Sequence, residues 1–239
     1  MMATANQPQH SPEAAPATPG YLERRLGVVA SLRHEGEDII PRHATFWPVY
    51  YLGGLSALTF VIQVASGILL MFYYKPTVDE AYASVEFIMT EVSFGWFVRS
   101  VHHWCANLFV VLMLLHMLRV ILVGGYKPPR ELHWVSGMLL LICGMMFGFT
   151  GYLLPWDQIA YWATTVGTEM ARSVPFLGDW LLRFLRGGEN VSGDTLTRFF
   201  VLHVIILPVI AALLIALHLV MIRTTGMSNP INFRPGKED

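Results

Sequence analysis

Four long, mostly apolar runs dominate this sequence and determine what it can fold into. A helix needs about 20 consecutive apolar residues to cross roughly 30 Å of hydrocarbon. The runs are continuously apolar rather than alternating, and they are too long for the strands of a membrane barrel. The sequence therefore predicts an all-α integral membrane protein with a four-helix transmembrane bundle. The predicted transmembrane helices cover residues 46–74, 94–123, 132–156 and 198–222.

Composition supports this class and excludes others. The chain has 239 residues, of which 54% are hydrophobic and only 14% are charged, whereas a soluble domain carries about 25% charged residues. The formal net charge of -1 argues against a nucleic-acid partner. Cys105 and Cys143 both lie in apolar runs, so we expect them to pack as small hydrophobic side chains rather than to build a disulfide framework.

The basic residues that flank the runs predict the orientation of the bundle. Lysine and arginine are enriched in short cytoplasmic segments, and they precede the first span, follow the fourth and occupy the link between spans two and three. We therefore expect a multi-pass protein with both termini in the cytoplasm, in a bacterial-type inner or plasma membrane or a thylakoid-like membrane. The long third connection must then lie outside, although it carries four arginines against the rule: Arg172, Arg183, Arg186 and Arg198.

The segments outside the spans have their own patterns. Residues 1–20 are rich in alanine and proline, which predicts a disordered tail and no cleavable signal peptide. A domain over residues 21–226 follows, beginning with a short interfacial helix at 21–33, and residues 227–239 form a cytoplasmic tail. The third connection is predicted to form a helical hairpin on the outer surface, with helices at 158–172 and 176–185.

The second and fourth predicted spans carry histidines at matched spacing. His102 and His116 are 14 residues apart, and His203 and His218 are 15 apart. At 100° per residue, a separation of 14 ends about 40° short of a whole number of turns, and a separation of 15 ends about 60° past one. Each pair therefore lies on one helix face. Ionisable residues inside a span are costly and are usually functional.

The predicted topology brings these histidines together at two depths. Both spans run from the outside inwards, so His102 is level with His203, and His116 with His218. Facing histidines at two depths are the ligands that two bis-histidine haems require. A single membrane histidine is more often a packing residue or part of a proton path, so a histidine relay in a haem-free transporter is an alternative. Zinc is disfavoured because neither depth offers a further ligand.

Glycines in the other two spans share this spacing. Gly53 and Gly67 are 14 residues apart, as are Gly137 and Gly151. Because these spans run outwards, Gly53 and Gly137 belong to the inner depth, and Gly67 and Gly151 to the outer. Glycine lets a backbone approach a flat porphyrin edge, but it also favours plain helix–helix packing.

Three arginines lie close to the two depths. Arg99 lies one turn before His102, and Arg119 and Arg130 lie near the inner end. Haem propionates need charge-assisted partners, for which arginine offers a planar fork. The same arginines could instead anchor helix ends at the lipid headgroups.

Four long motifs resemble the N-terminal part of cytochrome b in Rieske/cytochrome b complexes, and most closely its short, split (b-six) type. They are GWFVRSVHHW (95–104), GGYKPPRELHWVSG (124–137), FGFTGYLLPWDQIAYWA (147–163) and TLTRFFVLHVIILP (195–208). The similarity covers residues 21–226. The resemblance implies a subunit of a quinol:cytochrome c or plastocyanin-like oxidoreductase that is not catalytically complete alone. Such a subunit transfers electrons across the membrane to a cytoplasmic quinone-reduction site, coupled to proton translocation.

The resemblance also implies roles for individual residues. His102 and His203 would bind a low-potential haem b near the outer side, and His116 and His218 a high-potential haem b near the cytoplasm. The segment 152–163 matches the wall of the family's quinol-oxidation pocket, with Tyr152, Pro155, Trp156 and Ala163 as candidate quinone-site residues. Arg223 matches a residue near the quinone-reduction site.

This chain departs from the family pattern at several points. The other half of cytochrome b, with its Pro-Glu-Trp-Tyr motif, must come from a separate subunit. Tyr51 stands where the split type often has a cysteine that holds an extra haem, so no covalent third haem is expected. His103 follows the first ligand and is expected at a propionate or the surface. The implied partners are a Rieske iron–sulfur protein and a c-type cytochrome or similar acceptor, in a dimeric complex.

One functional alternative uses the same histidines. A di-haem b membrane anchor passes electrons from a peripheral dehydrogenase or hydrogenase to quinone, also through four or five spans. The matched histidine pairs on two parallel helices and the PWDQ segment favour the quinol-oxidising complex instead.

Overall fold

The computed structural model of the protein describes residues 48–226. The interfacial helix predicted at 21–33 and the two terminal tails predicted at 1–20 and 227–239 lie outside the described residues. Within 48–226 all regular elements are helices, and there is no strand.

Eight α-helices follow one another in the described part. After a 3₁₀ turn at Pro48–Tyr51 they are α1 (Leu52–Met71), α2 (Ala81–Thr90), α3 (Gly95–Leu122), α4 (Glu131–Leu153), α5 (Gln158–Arg172), α6 (Gly178–Arg186), α7 (Gly193–Val201) and α8 (Leu207–Thr225). A π-helical segment, Leu202–Ile206, joins α7 to α8 without a break. Helices α1, α3, α4 and the continuous α7–α8 are long and apolar enough to span a membrane. The predicted four-helix membrane bundle is confirmed.

Local chemistry fixes the helix ends near the third connection. Helix α4 stops at Leu153, earlier than the predicted residue 156. Leu154 keeps a helical conformation, but Pro155 has no N–H with which to continue the helical hydrogen bonds. Asp157 then starts α5, with its carboxylate accepting a hydrogen bond from the Ala160 N–H at 2.8 Å. This is an ordinary side-chain N-cap.

Helix α2 was not predicted from the sequence. It lies in the connection between the first two spans, and it buries Ala81, Ser84 and Ile88. These positions recur at helical spacing on one face. The pattern was missed because two of the three buried residues are small or polar, so the stripe carries little hydrophobic signal.

The spans associate as two pairs. Helix α1 packs chiefly on α3, and α4 packs chiefly on α8. Most large apolar side chains of the spans remain exposed, such as Leu58, Val61 and Leu213, as expected for surfaces that face lipid or other subunits. The histidines of α3 and α8 lie where the two pairs meet.

Hydrogen bonds of a buried arginine hold the α5–α6 hairpin against the bundle. Arg186 is only 2% exposed, and its guanidinium donates hydrogen bonds to the Thr168 hydroxyl, to Glu169 and to the Thr165 carbonyl on α5. The Thr195 hydroxyl of α7 donates in turn to the Arg186 carbonyl. A buried charge is tolerated when it is fully paired in this way.

A hydrogen bond also joins the segment after α1 to the end of α4. The Tyr74 hydroxyl donates a hydrogen bond of 2.7 Å to the Leu154 carbonyl. Burial raises the pKa of Tyr74, so the phenol keeps its proton and acts as the donor. The turn that precedes α5 is thereby held against the bundle.

Candidate functional site

The four histidines and four glycines of the spans meet at two levels. We name the set nearer the α5–α6 hairpin the hairpin level, and the set nearer the end of α8 the tail level. The hairpin level contains His102, His203, Gly67 and Gly151, and the tail level contains His116, His218, Gly53 and Gly137.

The two histidines of the hairpin level face each other at a spacing that suits a metal. The ring centres of His102 and His203 are 6.3 Å apart, with the ring planes at 69°. An imidazole nitrogen ligates a transition metal at about 2.0–2.1 Å and lies about 1 Å from its ring centre, so two axial imidazoles have centres roughly 6 Å apart. At the tail level, His116 lies against Gly53 of α1, and His218 lies against Gly137 of α4.

Each glycine lies directly against one histidine ring. A Cβ added at Gly151 would lie 2.6 Å from Cε1 of His203, and one at Gly53 would lie 3.0 Å from Cε1 of His116. The corresponding distances are 3.2 Å for Gly67 to His102 and 3.5 Å for Gly137 to His218. Close approach, rather than backbone conformation, is therefore what requires glycine at these positions.

Hydroxyl groups next to three of the glycines orient the histidines. Oγ of Ser66 lies 2.9 Å from Nδ1 of His102, and Oγ of Ser136 lies 2.8 Å from Nδ1 of His218. Oγ1 of Thr150 lies 3.2 Å from Nδ1 of His203. None of these three residues was predicted from the sequence, although each directly precedes one of the four site glycines.

These hydroxyls determine which ring nitrogen carries the proton. The Ser66 hydroxyl donates its proton to the Ile62 carbonyl, and the Thr150 hydroxyl donates to the Met146 carbonyl. Each oxygen can therefore only accept from the histidine, so Nδ1 carries the hydrogen. The Nε2 lone pair is left free to bind a metal.

The π-helical segment reconciles the unequal histidine spacings. Leu207 donates its N–H to the Leu202 carbonyl, five residues back, so the segment holds one residue more than a regular turn. Pro208 explains its position, because proline lacks an N–H and its ring clashes with the carbonyl four residues earlier. The separation of 15 from His203 to His218 therefore corresponds to about the same rotation as the separation of 14 from His102 to His116.

The predicted arginines lie at the ends of the bundle. Arg99 is half-buried in the second turn of α3, and Arg223 is exposed in the last turn of α8. Arg119 places its guanidinium 4.2 Å from the ring centre of Tyr50, a cation–π contact. Arg130 donates hydrogen bonds to the Thr225 and Gly226 carbonyls and so caps the end of α8.

An open apolar cavity of about 740 Å³ lies between the end of α4 and helix α5. Its lining includes the predicted residue Ala163, together with Phe149, Ile159, Trp162, Val166 and Met170. The predicted residues Tyr152, Pro155 and Trp156 are not part of this lining. Tyr152 lies in the last turn of α4, and Pro155 and Trp156 lie in the turn that joins α4 to α5. Helical spacing places Ile159, Trp162, Val166 and Met170 on one face of α5, and all four are more than half exposed.

The chain is similar to known proteins over most of its length. The model of the family described as Cytochrome b/b6/petB matches residues 38–226. Proteins named cytochrome b6 align over 211 residues, at 47% identity for Emiliania huxleyi and 44% for Chlamydomonas reinhardtii. Each alignment covers 88% of this chain and 97% of the relative.

A solved structure is similar as well. A chain of a hyperthermophilic respiratory complex III superimposes with a TM-score of 0.73 at 37% sequence identity, over 79% of this chain. The match covers 51% of the solved chain, so this protein spans about half the length of that relative.

Proposed function

This chain belongs to the cytochrome b/b6/petB family, and we propose that it is the di-haem b subunit of a quinol-oxidising Rieske/cytochrome b complex. In that role it transfers electrons across the membrane, from a quinol-oxidation site on the hairpin side to a quinone-reduction site on the tail side. The observation that carries the proposal is the pairing of four histidines with four glycines at two levels. Moving a charge across the membrane involves about 2.3 kcal/mol per 100 mV, which is how such transfer helps to build a proton gradient.

The residues present fit two non-covalent haems. His102 and His203 would hold one, and His116 and His218 the other, while the adjacent glycines leave the histidine rings free of side-chain crowding. Haem, when bound, supplies one-electron oxidation and reduction. Ser66, Thr150 and Ser136 fix the imidazole tautomers, and Arg99 and Arg130 are the candidate partners of the propionates.

We assign the cavity between α4 and α5 to quinol. Its walls are almost entirely apolar, which suits a flat ring with an isoprenoid-like tail. Phe149 packs against Gly167, where an added Cβ would lie 2.4 Å from the ring, so the cavity wall depends on a bare backbone at that position. Arg223, at the opposite end of the bundle, is the candidate contact for quinone that is reduced.

The proposal includes partners and an orientation. We assign to a separate subunit the part that closes the quinol cavity, because the apolar face of α5 that lines this cavity remains exposed. A Rieske iron–sulfur protein, a c-type cytochrome or similar acceptor, and a second copy of the assembly complete the complex. The hairpin faces the outside, and both termini face the cytoplasm of a bacterial-type or thylakoid-like membrane.

Substitution of single histidines tests this proposal. In the purified complex, a redox titration of the visible spectrum should resolve two b-type components. His218→Ala should remove the tail-level component and keep the hairpin-level component, and His203→Ala should remove the hairpin-level component and keep the tail-level one. The control His103→Ala removes an exposed imidazole and should retain both components. Persistence of both signals in His218→Ala would show that the ligand assignment is wrong. All haem should be extractable with acid, because Tyr51 cannot form a thioether bond.

A further inference from the structure

Helix α4 repeats its site-facing residues after 14 positions. His133, Ser136 and Gly137 serve the tail level, and Phe147, Thr150 and Gly151 stand at the equivalent positions of the hairpin level. The last two positions of each set are chemically alike, a hydroxyl and a glycine. At the tail level both contact His218 of α8, and at the hairpin level both contact His203 of the π-helical segment. The first position differs, with an imidazole at the tail level and a phenyl ring at the hairpin level.

Both of these rings contact the ligand histidine of their level in the same way. The Phe147 ring lies 5.6 Å from the His203 ring, with the planes at 83°. The His133 ring lies 6.2 Å from the His218 ring, with the planes at 70°. Each is an edge-to-face contact within the range that aromatic rings favour.

His133 is firmly held in this position. It is only 8% exposed, and its Nε2 lies 3.0 Å from Oγ1 of Thr225. The Thr225 hydroxyl donates to the Met221 carbonyl, so the His133 N–H is the donor in that contact. The ring is thus tied to the end of α8, which Arg130 also caps.

The other nitrogen of His133 takes no part in a hydrogen bond. Its Nδ1 is buried and has no hydrogen-bond partner among residues 48–226. His218, for its part, gives its Nδ1 hydrogen to Ser136. His133 therefore acts on His218 through ring packing, and not through a hydrogen bond between the two imidazoles.

We propose that His133 is a positioning residue of the tail level, which holds the ring plane of His218 and keeps water away from it. The inference rests on the proposed function, because it concerns His218 as an axial ligand. Ligand orientation and solvent access both tune the potential of a haem iron. Removing the ring should open a space for water beside His218, and water stabilises the charged ferric form more than the ferrous form.

Three variants of the full chain in its complex test the proposal by redox titration and low-temperature EPR. His133→Ala should shift the tail-level component to a more negative potential and broaden its ferric signal, or lose that haem, with the hairpin-level component unchanged. His133→Phe copies the hairpin level and should restore the potential and the signal. Phe147→Ala, the matched control, should disturb only the hairpin-level component.

The outcomes separate this inference from the proposed function. An unchanged tail-level potential and signal in His133→Ala would overturn the inference, and so would a His133→Phe variant that behaves like His133→Ala. Two b-type components in the unmodified protein would support the proposed function, whatever the His133 variants show. The absence of any b-type component in the unmodified protein would instead refute the proposed function.

Discussion

At the scale of single residues, the tightest contact in the site is between Gly151 and His203. An added Cβ at Gly151 would lie 2.6 Å from the imidazole, whereas at Gly137 the distance to His218 is an ordinary 3.5 Å. The four site glycines therefore differ in how much room they leave, although they share the same role. His203 is also held by Thr150 and by the Phe147 ring, so it has little freedom to move away from an added methyl group.

Gly151→Ala is therefore expected to displace His203 and to weaken hairpin-level haem binding. Overpacking of this kind costs about 1–3 kcal/mol, which corresponds to a loss of affinity of roughly 5- to 150-fold. Haem content per chain and the hairpin-level absorbance measure the effect. Gly148→Ala is the control on the same helix, because nothing lies within 4 Å of an added Cβ there. Equal haem content in the two variants would contradict the proposed role of Gly151.

Sequence spacing identified the histidines and glycines but not the groups that orient them. A repeat of 14 or 15 residues is visible because histidine and glycine are rare and distinctive inside a span. Ser66, Ser136 and Thr150 are ordinary residues of a membrane helix, where a hydroxyl commonly bonds to the carbonyl one turn back. Only the packing of α1 on α3, and of α4 on α8, shows that these oxygens also face Nδ1 atoms.

At the scale of elements, the π-helical segment sets the register of the fourth span. It places one additional residue between His203 and the rest of α8, just before Pro208. In a regular helix, an extra residue would rotate His203 by 100° relative to His218. The segment absorbs that rotation, so both histidines face α3. A proline five residues after a ligand was the available signal in the sequence, but spacing arguments based on a uniform helix do not use it.

Two single-residue deletions test this view of the fourth span. Deletion of Ile205 should convert the segment to a regular helix with a 14-residue histidine spacing, and both haems should remain. Deletion of Leu213 should rotate His218 away from His203 by about 100° and abolish one haem. Both residues are exposed, so their side chains contribute little to packing. Haem content and redox titration provide the measurement. Loss of a haem in the Ile205 deletion, with both haems kept in the Leu213 deletion, would show that the π segment does not set the register.

At the scale of the whole molecule, the two sites differ in completeness. All four histidines and all four glycines come from this chain, and the two helix pairs close around them. The cavity that we assign to quinol, by contrast, is lined among residues 48–226 by the end of α4 and by α5, and its apolar face on α5 remains exposed. The sequence predicted the four spans and the outer hairpin, whose patterns are local. The lining of the cavity depends on how the hairpin packs on the bundle. Of the four residues predicted near it, Ala163 lines the cavity, and the quinone-site roles of all four stay predictions.

This difference predicts how the chain behaves without its partners. Purified alone, it should bind both haems with two resolved b-type components, because every ligand is its own. Its reduction by quinol should be slower than in the assembled complex by about 100-fold or more, since a substrate held on one side only is poorly oriented. Stopped-flow measurement of haem reduction by a quinol, for the lone chain and for the complex at equal haem concentration, tests both expectations. Equal rates would mean that the cavity on α4 and α5 is already complete, and the separate subunit would then have no part in forming the quinol site.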